Sequence, residues 1–221
     1  MWYKLKRIMM RPNGVEKQVR PAPRLPSAYQ EVEWIQSSWS QYIKTWLLPS
    51  TNYLVTYMKV MPFTVSTWSQ DYRAWWAYNW SRMNVHYFWY GRWRLYAWIG
   101  GWDYDTGLSM TTNTLYDITM TANNGSWSVT MNGSTASWTY SWTVALNREF
   151  YLFCNNENWS MWASWQYRIY SFKWTTSDWL VKDLVPCYRK SDSVIWMYDI
   201  VNKQFYTNSW SWTFTKWSDV N

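Results

Sequence analysis

The chain has 221 residues, 48% of them hydrophobic, 23% aromatic and 16% charged. That is enough apolar material for one large domain, with too few charges and too many aromatic rings for a disordered chain. No apolar run approaches the ~20 residues of a membrane-spanning helix, so no membrane span is expected.

Residues 1–24 form a basic arm. Lys4, Lys6, Arg7, Arg11, Lys17, Arg20 and Arg24 stand against a single Glu16, which accounts for +6 of the net charge of +7. The remaining chain is close to neutral, which argues against a nucleic-acid-binding face on the body. Pro12, Pro21, Pro23 and Pro26 favour extended backbone. The apolar stretch Ile8-Met9-Met10 is far shorter than the 7–15 residues of a signal-peptide core, so classical secretion is not indicated. The arm reads as a solvated tether or docking peptide.

From residue 25 onward the pattern is that of strands. Alternation runs through 31–35, 52–60, 115–121, 126–131, 150–154, 166–173, 180–185, 194–198 and 204–206. These runs are rich in Val, Ile, Thr, Tyr and Phe and are separated by turn-forming clusters. Asn124-Gly125 and Asn132-Gly133 are hairpin signals that make 114–140 a meander. No window carries a capped helical stripe. The fold class is all-β, an antiparallel sandwich or barrel, with one domain over 25–221 after the arm. Cys154 and Cys187 lie in apolar strand contexts and read as two buried thiols without a metal-ligand spacing.

The chain prints 24 Trp beside 7 Gly, the inverse of ordinary usage, in which Gly is about 7% of residues. Many of these Trp occupy turn contexts: Ser38-Trp39-Ser40, Asn79-Trp80-Ser81, Asn158-Trp159-Ser160, Asp178-Trp179 and Ser209-Trp210-Ser211-Trp212-Thr213. Those are the neighbourhoods where glycine supplies positive φ. A genome that decodes UGA as glycine, translated with a table that prints UGA as tryptophan, yields such a text.

Residues 25–46, LPSAYQEVEWIQSSWSQYIKTW, resemble the LPxxYxxVEYIxSxGxQYIxTG opening of a concanavalin A-like (LamG-like) jelly-roll domain. Such domains occur in phage structural proteins and bacterial surface proteins. RIYSFK over 168–173, LVKDLVPC over 180–187 and MYDIVNKQFY over 197–206 are similar to its C-terminal motifs. The resemblance spans 25–217. Glycines of the pattern fall at Trp39, Trp46, Trp196, Trp210, Trp212 and Trp217, which is expected if UGA is read as glycine. The resemblance implies an antiparallel two-sheet jelly-roll sandwich and either glycan binding or virion and surface architecture, in which the arm would dock to other virion or surface proteins.

Candidate sites are few. Glu31 and Glu33, two apart on a strand, share a face, but the third acid of the glucanase strand E-x-D-x-x-E is missing, and a solvated face is expected. His86 is the single histidine, which excludes a two-histidine metal site and makes nucleophilic triad chemistry depend on one strand residue. Asp103 and Asp105 alternate in a short acidic turn, the arrangement of a Ca²⁺ loop or of plain Asx-turn chemistry. Tyr87, Tyr90, Arg92, Arg94 and Tyr96 group aromatic faces with guanidinium donors. Asn155, Asn156 and Asn158 add amide donors and acceptors. Together they form the candidate carbohydrate-binding set. The expected function is a non-enzymatic carbohydrate-binding or adhesive module on a phage particle or bacterial surface, its partner a glycan or surface polysaccharide. It needs no cofactor beyond a Ca²⁺ option. The alternatives are a ligand-free virion or surface scaffold and a glycoside hydrolase.

Overall fold

The computed structural model describes residues 24–38, 41–48, 53–62, 75–78, 83–85, 94–99, 102–140, 148–157, 160–162, 166–176, 179–207 and 213–220. Among them every regular element is a strand. In chain order they are β1 (Tyr29–Glu31), β2 (Ile35–Gln36), β3 (Ile43–Lys44), β4 (Tyr53–Pro62), β5 (Trp75–Tyr78), β6 (Met83–Val85) and β7 (Arg94–Ile99). There follow β8 (Trp102–Ser109), β9 (Tyr116–Asn123), β10 (Ser126–Met131), β11 (Ser134–Thr139), β12 (Tyr151–Leu152) and β13 (Asn155–Glu157). The last are β14 (Ser160–Trp162), β15 (Tyr167–Thr176), β16 (Trp179–Arg189), β17 (Ile195–Asp199), β18 (Gln204–Tyr206) and β19 (Thr215–Lys216).

Two sheets form a sandwich of the jelly-roll kind. The larger runs β11-β10-β9-β4-β15-β16-β17-β18, with β1, β2 and β19 attached beside this path. The smaller runs β14-β13-β5-β6-β7-β8, with β12 and β3 attached through β5. Strict alternation places Leu54, Met58 and Val60 of β4 and Ile118, Met120 and Ala122 of β9 in the interior. They pack there with Leu95, Ala97, Phe150, Leu152, Ile169 and Phe172 in one core. Period-2 patterning is what lets each strand bury one face and solvate the other.

The central strand β16 departs from alternation, because Lys182 through Cys187 are all buried. Its second face is covered by the chain entering the domain: Leu25, Val185, Cys187 and Tyr198 make a small second core with Tyr29 and Phe205 against it. Cys154 and Cys187 are free, buried thiols. Burial pushes Cys154 well above its ordinary range and Cys187 to about 12, so both are poor nucleophiles.

Both hairpin signals are realised as type I′ turns. Asn124 and Gly125 have φ of 36° and 94°, and Asn132 and Gly133 have 47° and 87°. That double positive-φ pair matches the twist of the flanking strands. Two expected runs are cut short. The 31–35 run breaks after Glu31: Val32 makes only an isolated bridge to Asp219, and Glu33 sits in a bend. The 150–154 run ends at Leu152 because Phe153 adopts φ 70°. Its N–H donates to the Tyr167 hydroxyl at 2.6 Å, and its ring stacks on Tyr167 at 4.7 Å.

Candidate functional site

The β7–β8 hairpin of the smaller sheet carries the best-defined part of the candidate set. Leu95 and Ala97 point into the core, which leaves Arg94 and Tyr96 on the other face. Register shifts between Arg94 and Tyr96, where Tyr96 pairs with Asp105 and Arg94 with Ser109. Gly107 at φ 70° lets β8 accommodate this irregularity. Thr106 Oγ1 donates to the Leu95 carbonyl at 2.5 Å and accepts from the Leu108 N–H at 3.1 Å. The bulge therefore has its own hydrogen bonds.

Asp105 is the hub. Its carboxylate accepts from Arg94 Nη1 at 2.8 Å, from the Gly107 N–H at 2.8 Å and from the Tyr96 hydroxyl at 3.3 Å. Partial burial works against ionisation, but the Gly107 N–H and the Arg94 guanidinium outweigh it and hold the group below its ordinary value. The Arg94 and Asp105 side chains are 47% and 29% exposed, so the pair faces solvent with a fixed orientation. A bidentate-capable guanidinium beside a carboxylate can bond adjacent hydroxyls of a polyol as donor and acceptor.

The rest of the candidate set divides. Tyr87, Tyr90, Arg92 and Asn158 lie outside the described residues, as does His86. Asn155 lies on β13, its side chain outside what is described. Tyr96 and Asn156 are buried, so in this conformation neither offers a surface to a ligand. Asn156 Nδ2 donates to the Glu149 carbonyl at 2.9 Å, while its Oδ1 has no partner. The Asp103 side chain is likewise outside what is described, and Asp105 is engaged by Arg94. Among the described residues no three Asp, Glu, His or Cys side chains group to hold a metal ion. Glu31 pairs with Arg24, its Oε2 accepting from Nε at 3.2 Å.

Two constellations escaped sequence reading. The first is a buried ionic network on β16 and β17. Lys182 Nζ lies 3.5 Å from Asp199 Oδ2 and donates to the Tyr206 hydroxyl. Asp199 also accepts N–H groups from Asp183 at 3.2 Å, Val201 at 3.1 Å and Asn202 at 3.3 Å, and the Asn202 amide at 2.6 Å. Adjacent charges inside the otherwise apolar run 180–185 were the available signal. The second is a stack in which the Arg168 guanidinium sits 4.2 Å over the Trp34 ring, and Trp217 lies parallel to Trp34 at 5.7 Å. It joins residues 34, 168 and 217, which sequence spacing alone does not bring together.

No protein-family model matches the chain, and no curated protein matches it. Solved structures do resemble it. A "putative carbohydrate binding protein" from Bacteroides ovatus shares the fold with a TM-score of 0.57 at 11% identity, over 86% of this chain and 62% of that one. The chain therefore spans less than two thirds of that relative. Weaker likenesses are to the enzymatically active domain of tailspike protein 2 of bacteriophage CBA120, with a TM-score of 0.47 at 11% identity over 69% of this chain and 29% of that one. An alginate lyase of polysaccharide lyase family 7 gives a TM-score of 0.41 at 15% identity, over 59% of this chain and 63% of that one.

Proposed function

We propose that this domain is a non-enzymatic carbohydrate-binding module displayed on a phage particle or bacterial surface. The observation that carries the reading is the oriented, half-exposed Arg94–Asp105 pair on the bulged β7–β8 hairpin. It stands on a sandwich whose fold is shared with a protein described as carbohydrate binding. Binding of this kind is shallow and weak, resting on directional hydrogen bonds from a preorganised pair. A glycan array at millimolar sugar tests it: saturable binding that Arg94→Ala weakens supports the reading, and no binding to any glycan removes it.

A ligand-free scaffold is the second reading, favoured by the burial of Tyr96 and Asn156. It predicts a protein present in purified particles that ignores glycans. A hydrolase would need paired acids, and Glu31 is committed to Arg24 while Glu33 has left the strand. Hydrolysis abolished by Glu31→Gln would revive that option.

We also propose that part of the printed Trp set is glycine in the native protein, through UGA read as glycine. Trp46 is the supporting residue, at φ 54° with 62% of its surface exposed. A bulky side chain there is strained, whereas glycine is not. The buried indole N–H groups of Trp127 and Trp196 have no partner, which costs free energy. Trp174, packed edge-on against Phe150 at 4.9 Å in the core, fits as a genuine tryptophan. The intact mass of protein made by its native host decides the matter. A mass below that of the printed chain by whole Trp-to-Gly steps supports the proposal, and the printed mass overturns it. Trp217, exposed over the buried Trp34, is one of the positions where the family pattern has glycine, and the stack forms no part of the proposed binding site.

A further inference from the structure

The larger sheet ends at β11, and this end is built unlike the other. Strand β18 at the far end is three residues long and follows Lys203, which shortens and charges that edge. Strand β11 is six residues, Ser134–Thr139, exposed on its outer face at Thr135, Ser137 and Thr139 and half-buried at Ala136 and Trp138, with no charge and no proline. Its pairing with β10, and that of β10 with β9, runs through six residues each without a bulge. Proteins ordinarily blunt an edge with charges, prolines, bulges or brevity. Strand β11 has none of these.

The hairpin turns fix which backbone groups face outward. Asn132-Gly133 is a two-residue type I′ loop, so Met131 and Ser134 close it as a hydrogen-bonded pair. Alternation makes Val129–Ala136 and Trp127–Trp138 hydrogen-bonded too. The Tyr140 N–H bond to the Gly125 carbonyl, at 2.8 Å, continues this phase. The N–H and C=O groups of Thr135, Ser137 and Thr139 therefore point away from β10. Among the described residues no strand pairs with them.

The side chains of these three residues lie on the outer sheet face. In register beside them are Thr130 and Ser128 of β10, then Thr119 and Thr121 of β9. Thr130 and Thr135 hydroxyls bond each other at 2.7 Å. Strands β10 and β11 carry no charge, and the one acid of β9, Asp117, accepts a hydrogen bond from the Tyr57 hydroxyl, so no like charges meet where a matching edge would pair. None of the three outward positions is a Trp; Trp127 and Trp138, paired across β10 and β11, lie on the inner face.

We propose that β11 is a self-association edge, pairing antiparallel with β11 of a second copy about a two-fold axis at Ser137. Only a two-fold places Ser137 opposite its own symmetry mate and Thr135 opposite Thr139 of the partner. All six outward N–H groups then find carbonyls, and the two larger sheets become one. The row of donors and acceptors is self-complementary, which is why a second copy is the occupant.

Sedimentation of the full chain across a concentration series tests this. The wild type is expected to show a reversible monomer–dimer equilibrium. Ser137→Pro removes one outward N–H from each copy without touching the β10 ladder, and is expected to weaken the dimer at least about tenfold. Ser137→Lys keeps the N–H but sets two charges face to face, and covers the case in which the proline variant does not fold. Amide exchange at Thr135, Ser137 and Thr139 is expected to slow as concentration rises. A wild type monomeric at every concentration, or a dimer that neither variant weakens, overturns the proposal.

Discussion

Asp199 is the residue on which the buried end of the larger sheet depends. It is fully buried, pairs with Lys182 and accepts three backbone N–H groups. Asp199→Ala orphans all of them and leaves Lys182 an uncompensated buried charge. The expected loss is about 3–5 kcal/mol, read from urea unfolding. Trp46 behaves oppositely. Its positive φ costs ~1–2 kcal/mol for a residue with a Cβ. Its ring loses only a partial contact with Tyr206, at 5.8 Å. Trp46→Gly is therefore expected to leave the urea midpoint unchanged or raised, where a Trp truncated from a packed site loses ~3–5 kcal/mol. Asp105 sets a pH dependence. Its folded value is held below the ordinary ~3.9, so its contribution is complete above that value. The contribution is lost as pH falls through the lower folded value. Asp105→Asn should flatten the acid limb of the stability curve, and an unchanged limb would refute the role given to Arg94 and Gly107.

At the scale of elements, the meander is where sequence and structure agree most closely. Strand β10 was legible as 126–131 because its turns are local: Asn-Gly fixes the loop, and alternation fixes the face. The two turn glycines are not equivalent. A Cβ on Gly125 would lie 3.1 Å from the Tyr140 carbonyl oxygen, whereas one on Gly133 meets nothing within 4 Å. Gly125→Ala is expected to destabilise more than Gly133→Ala, which carries the φ strain alone and is expected to cost ~1 kcal/mol; thermal melts of the two variants check the order. Where elements end was less legible. Phe153 stops its strand through a left-handed turn stabilised by Tyr167, and Glu31 is held by Arg24. Both are contacts made in three dimensions. The same limit applies to the site. Arg94 and Asp105 could be named from residue type, but their pairing needs the bulge at Gly107. Burial of Tyr96 and Asn156 depends on neighbours that spacing does not reveal.

At the scale of the molecule, the domain starts its core at Leu25, which is buried against Val185, Cys187 and Tyr198. The basic residues of the arm lie before that point, so charge and fold are separated along the chain. The arm accounts for +6 of the +7 net charge. Among the described residues the near-neutral body carries the oriented Arg94–Asp105 pair on its smaller sheet, and no strand pairs with the outer side of β11 on its larger sheet. Binding to a neutral glycan through the β7–β8 hairpin would consequently be little affected by salt, since few charges are involved. Titration calorimetry of the full chain against surface polysaccharide fragments, at low and high salt, is the decisive test of glycan binding at the β7–β8 hairpin. Saturable, weak, nearly salt-independent binding is expected, reduced about tenfold or more by Arg94→Ala. The absence of heat with any fragment, or binding that Arg94→Ala leaves untouched, would contradict that reading.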